Sequence, residues 1–460
     1  MVMNLPMLFV NIGLFIILLP ILDWFKKRKT EYKPQQSPHL GFLSIAATLI
    51  ATELGASLLL SSSDESFYTA CYGLFYIIGI SIGYLILGGG LAVRIRSAQC
   101  STSAQFLEVK YHSPSLKKLA SCLSTMIMYA FLVGELIATK SLLQGLGFTN
   151  ELFFIILWFL LVLYCSIGGL PRLGISTFVQ LSFFSVIFGG TFIYCLFKAP
   201  PSWTTITFFL KQQELTSFFS QTNLASLLLS LLNIIIYCIS EQDVTHPLFS
   251  KKSRFTQIIS SGGAGIFMIL FSSIPLYFCY QAHLLNLEIP SGLSPIIPVI
   301  QYLTNDLTVI FILCGIIIAI ITTFDYLFLA ISTYWIEDFN LFTHPDSKSI
   351  ITLVNGSLIM IVSYFFSTDL LSIFNVSFEL YTCILLVPLF FSYVKKEVKK
   401  IAAWCAIGAG LISFIIGNCI YLYTEKEFVH LASAVIGYAI GSVCSDLKFS
   451  KKLRPALLRN

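Results

Sequence analysis

The chain contains 460 residues, of which 56% are hydrophobic and only 11% carry a charge, and its mean hydropathy is +0.84. Because soluble domains are usually about 25% charged, this composition excludes an ordinary soluble protein and indicates an integral membrane protein. The net charge of +5 carries no indication of nucleic-acid binding. The cysteines are scattered, without a C-x-x-C pair, which is typical of buried, unreactive thiols.

Long apolar runs predict an all-α protein. A membrane-spanning helix needs about 20 mostly apolar residues, whereas the strands of a membrane barrel give only weak alternating runs of about 10. The sequence predicts thirteen spans, at 6–25, 39–61, 67–93, 117–147, 151–168, 175–197, 220–240, 256–280, 303–335, 349–367, 369–394, 401–423 and 427–446.

The distribution of basic residues predicts the orientation of these spans. The first span is interpreted as a retained helix, since no Lys or Arg precedes it and no small-residue cleavage pattern follows it. With the N-terminus outside and the C-terminus inside, 24 of the 28 Lys and Arg residues fall on the cytoplasmic side. Because basic residues are enriched in cytoplasmic loops, this asymmetry supports the topology.

Two of the apolar spans contain polar interruptions. Residues 51–57 read ATELGAS and residues 319–325 read AIITTFD, so each places hydroxyls and a carboxylate where lipid-facing residues are expected. A carboxylate near the bilayer centre costs roughly 2.5 to 3.5 kcal/mol even on insertion scales, so such residues usually face a bundle interior or a water-filled path. The pattern therefore predicts a membrane transporter.

Five motifs, in order along roughly 40–395, resemble those of the sodium/solute symporter family. They are the run at 51–79, the segment 101–111 (loosely T-x-x-E-F-L-x-x-R-Y), Gly168-Gly169-Leu170 followed by Ser176 and Gln180, the pair Gln242-Asp243, and 319–338, which resembles A-x-x-S-T-x-D-S-x-L with a terminal Asp.

The resemblance implies a leucine-transporter-like core of two five-helix repeats in inverted orientation, with the site at the midplane between them. The implied organisation is an extra helix and basic loop at 1–38, the first repeat at 39–198, an extracellular loop at 199–219, the second repeat at 220–400, and two peripheral helices with a basic tail at 401–460. The first helix of each repeat is expected to be interrupted. The second interruption is weakly marked, with Asn233 and Ser230 as the polar residues.

The same resemblance implies a sodium site formed by the first and eighth core helices. Sodium is a hard cation that is served by oxygen ligands, as other hard cations are. The implied ligands are the carbonyls of Ala51, Leu54 and Ala319 and the hydroxyls of Thr322 and Thr323. The alternative for the two threonines is a hydrogen bond to a carbonyl of their own helix, which is common in membrane helices.

Other polar residues of the spans are candidates for solute binding, coupling or gating. Glu53 lies at the first interruption and can attract a cation, hold an amine or carry the coupling proton, since burial favours the protonated carboxyl. Lys140 either extends to the membrane surface or neutralises one of the acids. The candidates for solute binding or coupling are Glu53, Ser57, Glu135, Asn233 and Glu379, and the candidates for the gate or inner path are Asp325, Gln180 and Asp243.

Departures from the family pattern narrow the expected substrate. Thr177 replaces an Asp of the pattern, His246-Pro247 replaces Gln-Arg, and small or apolar residues at 57–58 replace the residues that hold sugars. A sugar is therefore disfavoured, and a small cationic or zwitterionic solute is expected.

The resulting prediction is sodium-coupled uptake of a small organic solute by a multi-pass membrane protein, in the inner membrane if the source is bacterial. No cofactor is expected besides the coupling ion, and the sequence leaves the oligomeric state open. Proton coupling, an uncoupled descendant and a transporter-like sensor are the alternatives. An enzyme is not expected, because the six histidines show no catalytic or metal-binding spacing.

Overall fold

The computed structural model describes residues 41–55, 57–68, 72–91, 93, 100, 102–145, 150–167, 170–202, 224–245, 248, 253–289, 294–341, 347–365, 377, 379–395 and 397–424. All regular elements within these residues are helical. The first and last predicted spans, 6–25 and 427–446, lie outside the described residues.

The helices of the first half include two π-helical segments. They are α1 (Phe42–Glu53), π1 (Ser57–Ser61), α2 (Ser62–Tyr68), α3 (Tyr72–Ile86), π2 (Leu87–Leu91), α4 (Ser103–Tyr111), α5 (Pro114–Gly145), α6 (Glu151–Ile167) and α7 (Leu170–Lys198).

The second half also includes two π-helical segments. Its helices are α8 (Leu224–Ser240), α9 (Gln242–Thr245), α10 (Arg254–Phe271), α11 (Ser273–Leu284), α12 (Ile296–Leu303), α13 (Asp306–Thr333), π3 (Tyr334–Asp338), α14 (Ser347–Phe365), π4 (Thr382–Leu386), α15 (Val387–Val394) and α16 (Lys400–Thr424).

Helices lie at eleven of the thirteen predicted positions, and the other two are the spans outside the described residues. Among the described helices, six are long and apolar enough to cross a membrane, and α1 with the helix that follows it would form a seventh, bent by 66°. Shorter apolar helices lie at Glu151–Ser166, Leu231–Ser240, Ser349–Tyr364 and Glu379–Val394. The chain is therefore a multi-pass helical membrane protein, and the total of thirteen spans stays a prediction.

The bend after α1 is a break in the helical hydrogen bonding. The amide of Leu54 still donates to the Ile50 carbonyl at 2.9 Å, but the amide of Gly55 turns back to the Glu53 carbonyl at 2.9 Å. Leu54 itself has φ −83° and ψ 55°, outside the helical region. Helical structure resumes at Ser57 in a different direction.

The break lies deep in the helix bundle. Helix α1 packs against α7, α10 and α13, and α13 packs in turn against α5 and α7. Every residue of α1 from Ala47 to Glu53 is buried, as is the stretch of α13 from Leu313 to Thr333. Polar atoms at the break are consequently surrounded by protein rather than by lipid.

Glycines bring α3 close to its two neighbours. An ideal Cβ on Gly83 would lie 2.6 Å from the Cβ of Cys238 on α8, and one on Gly265 of α10 would lie 2.9 Å from the carbonyl oxygen of Ser81. Small residues at membrane helix contacts permit this approach of the backbones.

Replacement of Gly83 by alanine is expected to lower the thermal unfolding midpoint of the detergent-solubilised protein. The added methyl overpacks the α3–α8 contact, which typically costs about 1–3 kcal/mol. Gly189→Ala is the matched control, because nothing lies within 4 Å of the ideal Cβ at that helical glycine. Equal midpoints for the two variants would contradict the close contact.

Candidate ion and solute site

Helices α1 and α13 cross in opposite directions, and a hydroxyl joins them. Oγ1 of Thr323 lies 3.0 Å from the carbonyl oxygen of Ala51 and 3.2 Å from that of Ala319. The hydroxyl has a single proton, so it donates to one carbonyl at a time. Three oxygens from two helices thus converge next to a helix break.

Thr322 is held differently from its neighbour. Its hydroxyl lies 2.8 Å from each of the carbonyl oxygens of Ile318 and Ala319 and donates to one of these two carbonyls of its own helix. This is the alternative that the sequence left open for both threonines. Leu54, the remaining predicted carbonyl ligand, is buried and is the first residue after α1. The structure therefore brings together the predicted oxygens of Ala51, Ala319 and Thr323, whereas sodium binding to them stays a prediction.

Two of the predicted carboxylates lie at the same break. Glu53 is the buried last residue of α1. Glu135 on α5 has a relative exposure of 2%, and its carboxylate rests on Gly55, where an ideal Cβ would come within 2.0 Å of Oε1 and 2.6 Å of Cδ. Only a residue without a Cβ permits this contact. The structure thus joins the break after α1 to a carboxylate from a different helix.

Two of the gate or inner-path candidates, Asp325 and Gln180, have described side chains, and both side chains are buried. Asp325 follows Thr323 by two residues on α13. Gln180 lies on α7, which packs against both α1 and α13, and its Nε2 atom has no hydrogen-bond partner among the described residues.

Four solute and gating candidates remain. Asn233 is half-buried and lies seven residues before the end of α8. Glu379 is half-buried at the start of a segment that packs mainly against α16, α4 and α8. Ser57 and Asp243 lie on described helices, but their side chains are outside what the structure describes.

Lys140 does not serve as the counterion of a midplane acid in this structure. Its Nζ atom lies 2.8 Å and 2.9 Å from the two carboxylate oxygens of Glu151, at the start of α6. Both side chains are partly exposed. Of the two possibilities that the sequence left open, the structure supports the one in which Lys140 reaches toward the end of the helix.

The second interruption lies further along than the sequence suggested. Helix α8 continues past Asn233 to Ser240, and α9 begins at Gln242, so the interruption is the single residue Glu241. The interruption is slight, because the Glu241 amide still donates to the Tyr237 carbonyl and its carbonyl still accepts from the Thr245 amide, each at 2.9 Å. This residue is completely buried, and its Oε2 accepts a hydrogen bond from Ser124 on α5 at 3.1 Å. The polar triplet E-Q-D directly after an apolar run is the signal that could have located it.

Just after α13, a second group of buried polar residues connects four parts of the structure. Asp338 accepts hydrogen bonds from Thr102 at 3.0 Å and from Ser121 at 2.6 Å. Ser121 lies one turn from Ser124, which binds Glu241. We call Thr102, Ser121, Ser124, Glu241 and Asp338 the inner cluster. It links α4, α5, π3 and the break after α8.

Comparison with known proteins identifies the architecture. No protein-family model matches the sequence. The structure of a Na⁺-coupled sialic acid symporter, in a substrate-bound outward-open state, superposes with a TM-score of 0.74 at 15% identity over 96% of this chain and 96% of that one. The chain has the symporter fold.

Two more distant structures share this symporter fold. A nucleobase-cation-symport-1 family transporter with bromovinylhydantoin bound gives a TM-score of 0.56 at 12% identity, covering 92% of this chain and 96% of that one. MhsT in complex with L-phenylalanine gives 0.50 at 14% identity, covering 90% and 99%. The resemblance predicted from the motifs is confirmed, and the all-helical class with it.

Proposed function

We propose that this protein takes up a small organic solute together with sodium by alternating access. The observation that carries the proposal is the position of the Thr323 hydroxyl between the carbonyls of Ala51 and Ala319, beside the break in α1. Backbone carbonyls freed at a helix break, with added hydroxyls, are the oxygen ligands on which transporters of this architecture bind Na⁺. Leu54 would contribute a further carbonyl.

Helix contacts support two inverted repeats as the frame of this site. If the five helices of 39–198 correspond in order to those of 220–400, each contact between repeats should have an exchanged counterpart. The contact of α1 with α10 has its counterpart in α8 with α3, and that of α5 with α14 in α13 with α6. The contacts of α3 with α10, α5 with α13 and α6 with α14 are each their own counterpart. The contacts of α13 with α1 and with α7 have no counterpart of similar extent among the described helices, so the exchange symmetry is partial.

The charges at the break favour a solute with a positive group. Glu53 and Glu135 both lie there, and Glu135 rests on the backbone of Gly55. An anionic solute group at the same point would meet carboxylates that are already buried, and opposite charges are needed to compensate a buried charge. We therefore propose a cationic solute, or the cationic end of a zwitterion, with Ser57 as a further contact.

The inner cluster supplies the closed side that alternating access requires. In the predicted topology, with the N-terminus outside, α13 ends on the cytoplasmic side, so Asp338 and Glu241 would hold that side shut while the solute enters from outside.

One positive charge moving inward across 100 mV supplies about 2.3 kcal/mol. A tenfold sodium gradient adds about 1.4 kcal/mol.

A proton is the alternative coupling ion, and one observation favours it. Glu53 is a buried carboxyl at the break itself, so it can take up and release a proton during the cycle. In this version the threonine hydroxyl would only join the two helices.

The test is a thermal unfolding series in detergent, with sodium exchanged for potassium at constant ionic strength. A ligand that binds only the folded protein at 100 times its dissociation constant stabilises it by about 2.7 kcal/mol, so we expect a sodium-specific rise of the midpoint. Sodium-driven uptake into proteoliposomes is then expected for small organic cations. Absence of a sodium response contradicts the proposal, and an uptake whose pH dependence is flattened by Glu53→Gln supports the proton instead.

A further inference from the structure

A second hydrogen bond joins α1 and α13 one turn away from the ion site. Tyr326 lies three residues after Thr323, and Thr48 lies three residues before Ala51. The phenol donates to Oγ1 of Thr48 at 3.0 Å, and Thr48 donates onward to the carbonyl of Ser44 at 2.8 Å. Because the helices run in opposite directions, this pair lies on the side of the ion site toward the start of α1.

Tyr326 is buried on α13, which packs against both α1 and α7. Thr177 on α7 is completely buried, and its Oγ1 atom has no hydrogen-bond partner among the described residues. Gln180 lies one turn further along α7, and its Nε2 has no hydrogen-bond partner among the described residues. The family motifs carry Ser at 326 and Asp at 177, so this chain has a large aromatic ring for a small residue and a neutral side chain for a charged one.

We propose that Tyr326 retains the coupling ion, by closing the ion site on the Thr48 side. The inference rests on the proposed ion site at Ala51, Ala319 and Thr323. The phenol hydroxyl joins the two ligand-bearing helices through its bond to Thr48. The ion leaves toward the start of α1, the cytoplasmic end in the predicted topology, only after the bond to Thr48 breaks and the ring moves aside.

The hydrogen bond between Tyr326 and Thr48 can change the ion affinity although neither side chain is a proposed ligand of the ion. The bond exists only while α1 and α13 are closed upon each other, which is the state that brings the ligand oxygens together. A change that makes this state less populated lowers the apparent affinity by the same fraction. Tyr326 is therefore a positioning residue for the ion, and its loss should change ion retention.

The first experiment is Tyr326→Phe, which removes one oxygen and keeps the ring. We expect the sodium concentration for the half-maximal thermal shift to rise about 2- to 10-fold, the usual effect of one hydrogen bond. Sodium efflux from loaded proteoliposomes without solute should become faster by a similar factor. Tyr111→Phe is the matched control, since it also loses a buried hydrogen bond, to the carbonyl of Pro388 at 2.8 Å, away from the ion site.

The partner residue supplies a second, independent arm. Thr48→Val should reproduce the effect of Tyr326→Phe, Thr48→Ser should retain wild-type behaviour, and the two harmful changes together should be no worse than either alone. Wild-type sodium affinity and efflux in Tyr326→Phe would overturn this inference while leaving the ion site intact. Absence of any sodium response in the wild type would overturn both.

Discussion

Thr323→Ala should raise the sodium concentration for half-maximal response by about 10- to 100-fold, the loss typical of one bond to a charged group. The neighbouring Thr322→Ala should change it less than about threefold, within the range of a neutral hydrogen bond. The difference arises because the Thr323 hydroxyl lies between α1 and α13, whereas Thr322 donates only to carbonyls of its own helix.

Both variants are measured in the same sodium titration of thermal stability, with the midpoint in potassium as the control for folding. Thr323→Ser keeps the hydroxyl and should remain close to the wild type. Equal losses for the two alanine variants would mean that both hydroxyls bind the ion, and the distinction drawn from their hydrogen bonds would be wrong. No loss in either would remove this pair from the ion site.

The helices could be predicted from sequence more readily than the breaks in them. A bilayer requires long apolar segments with internally satisfied backbones, so each span leaves a signal in its own residues. The break at Glu241 leaves only a short signal, the polar triplet at 241–243. The partner of the buried carboxylate, Ser124, lies more than a hundred positions away in the sequence, and the predicted interruption lies at Asn233 instead.

The candidate site also combines features that the sequence predicts with features that depend on how the helices pack. The family resemblance implied that Ala51, Leu54, Ala319, Thr322 and Thr323 would share a site, and the structure brings oxygens of Ala51, Ala319 and Thr323 together. Spacing could not tell which threonine faces α1, because adjacent residues on a helix point about 100° apart and either could be turned toward the partner. Tyr326 could not be singled out as a site residue from the sequence, because any one aromatic residue is a weak signal of function in a chain that is 15% aromatic.

Gly55→Ala is expected to reduce solute uptake by about 10- to 100-fold, the loss typical of one bond to a charged group. The added methyl would lie 2.0 Å from Oε1 of Glu135, closer than any real contact, so the carboxylate must leave the break. Sodium binding should be affected less, because the proposed ion ligand Ala51 lies one turn earlier on α1. Uptake of a small organic cation and the sodium-dependent thermal shift are measured side by side.

A change of Glu135, the other partner in this contact, separates the effect on uptake of losing the contact from general destabilisation of the protein. Glu135→Asp shortens the side chain by one methylene and should itself lower uptake, because the carboxylate no longer reaches the break. Combined with Gly55→Ala it makes room for the methyl, so the double variant should recover part of the activity that Gly55→Ala loses. Gly189→Ala controls for an added helical methyl. If the double variant were as inactive as the product of the two single losses, the contact between Gly55 and Glu135 would not be what supports uptake, and the carboxylate would have to be assigned to packing alone.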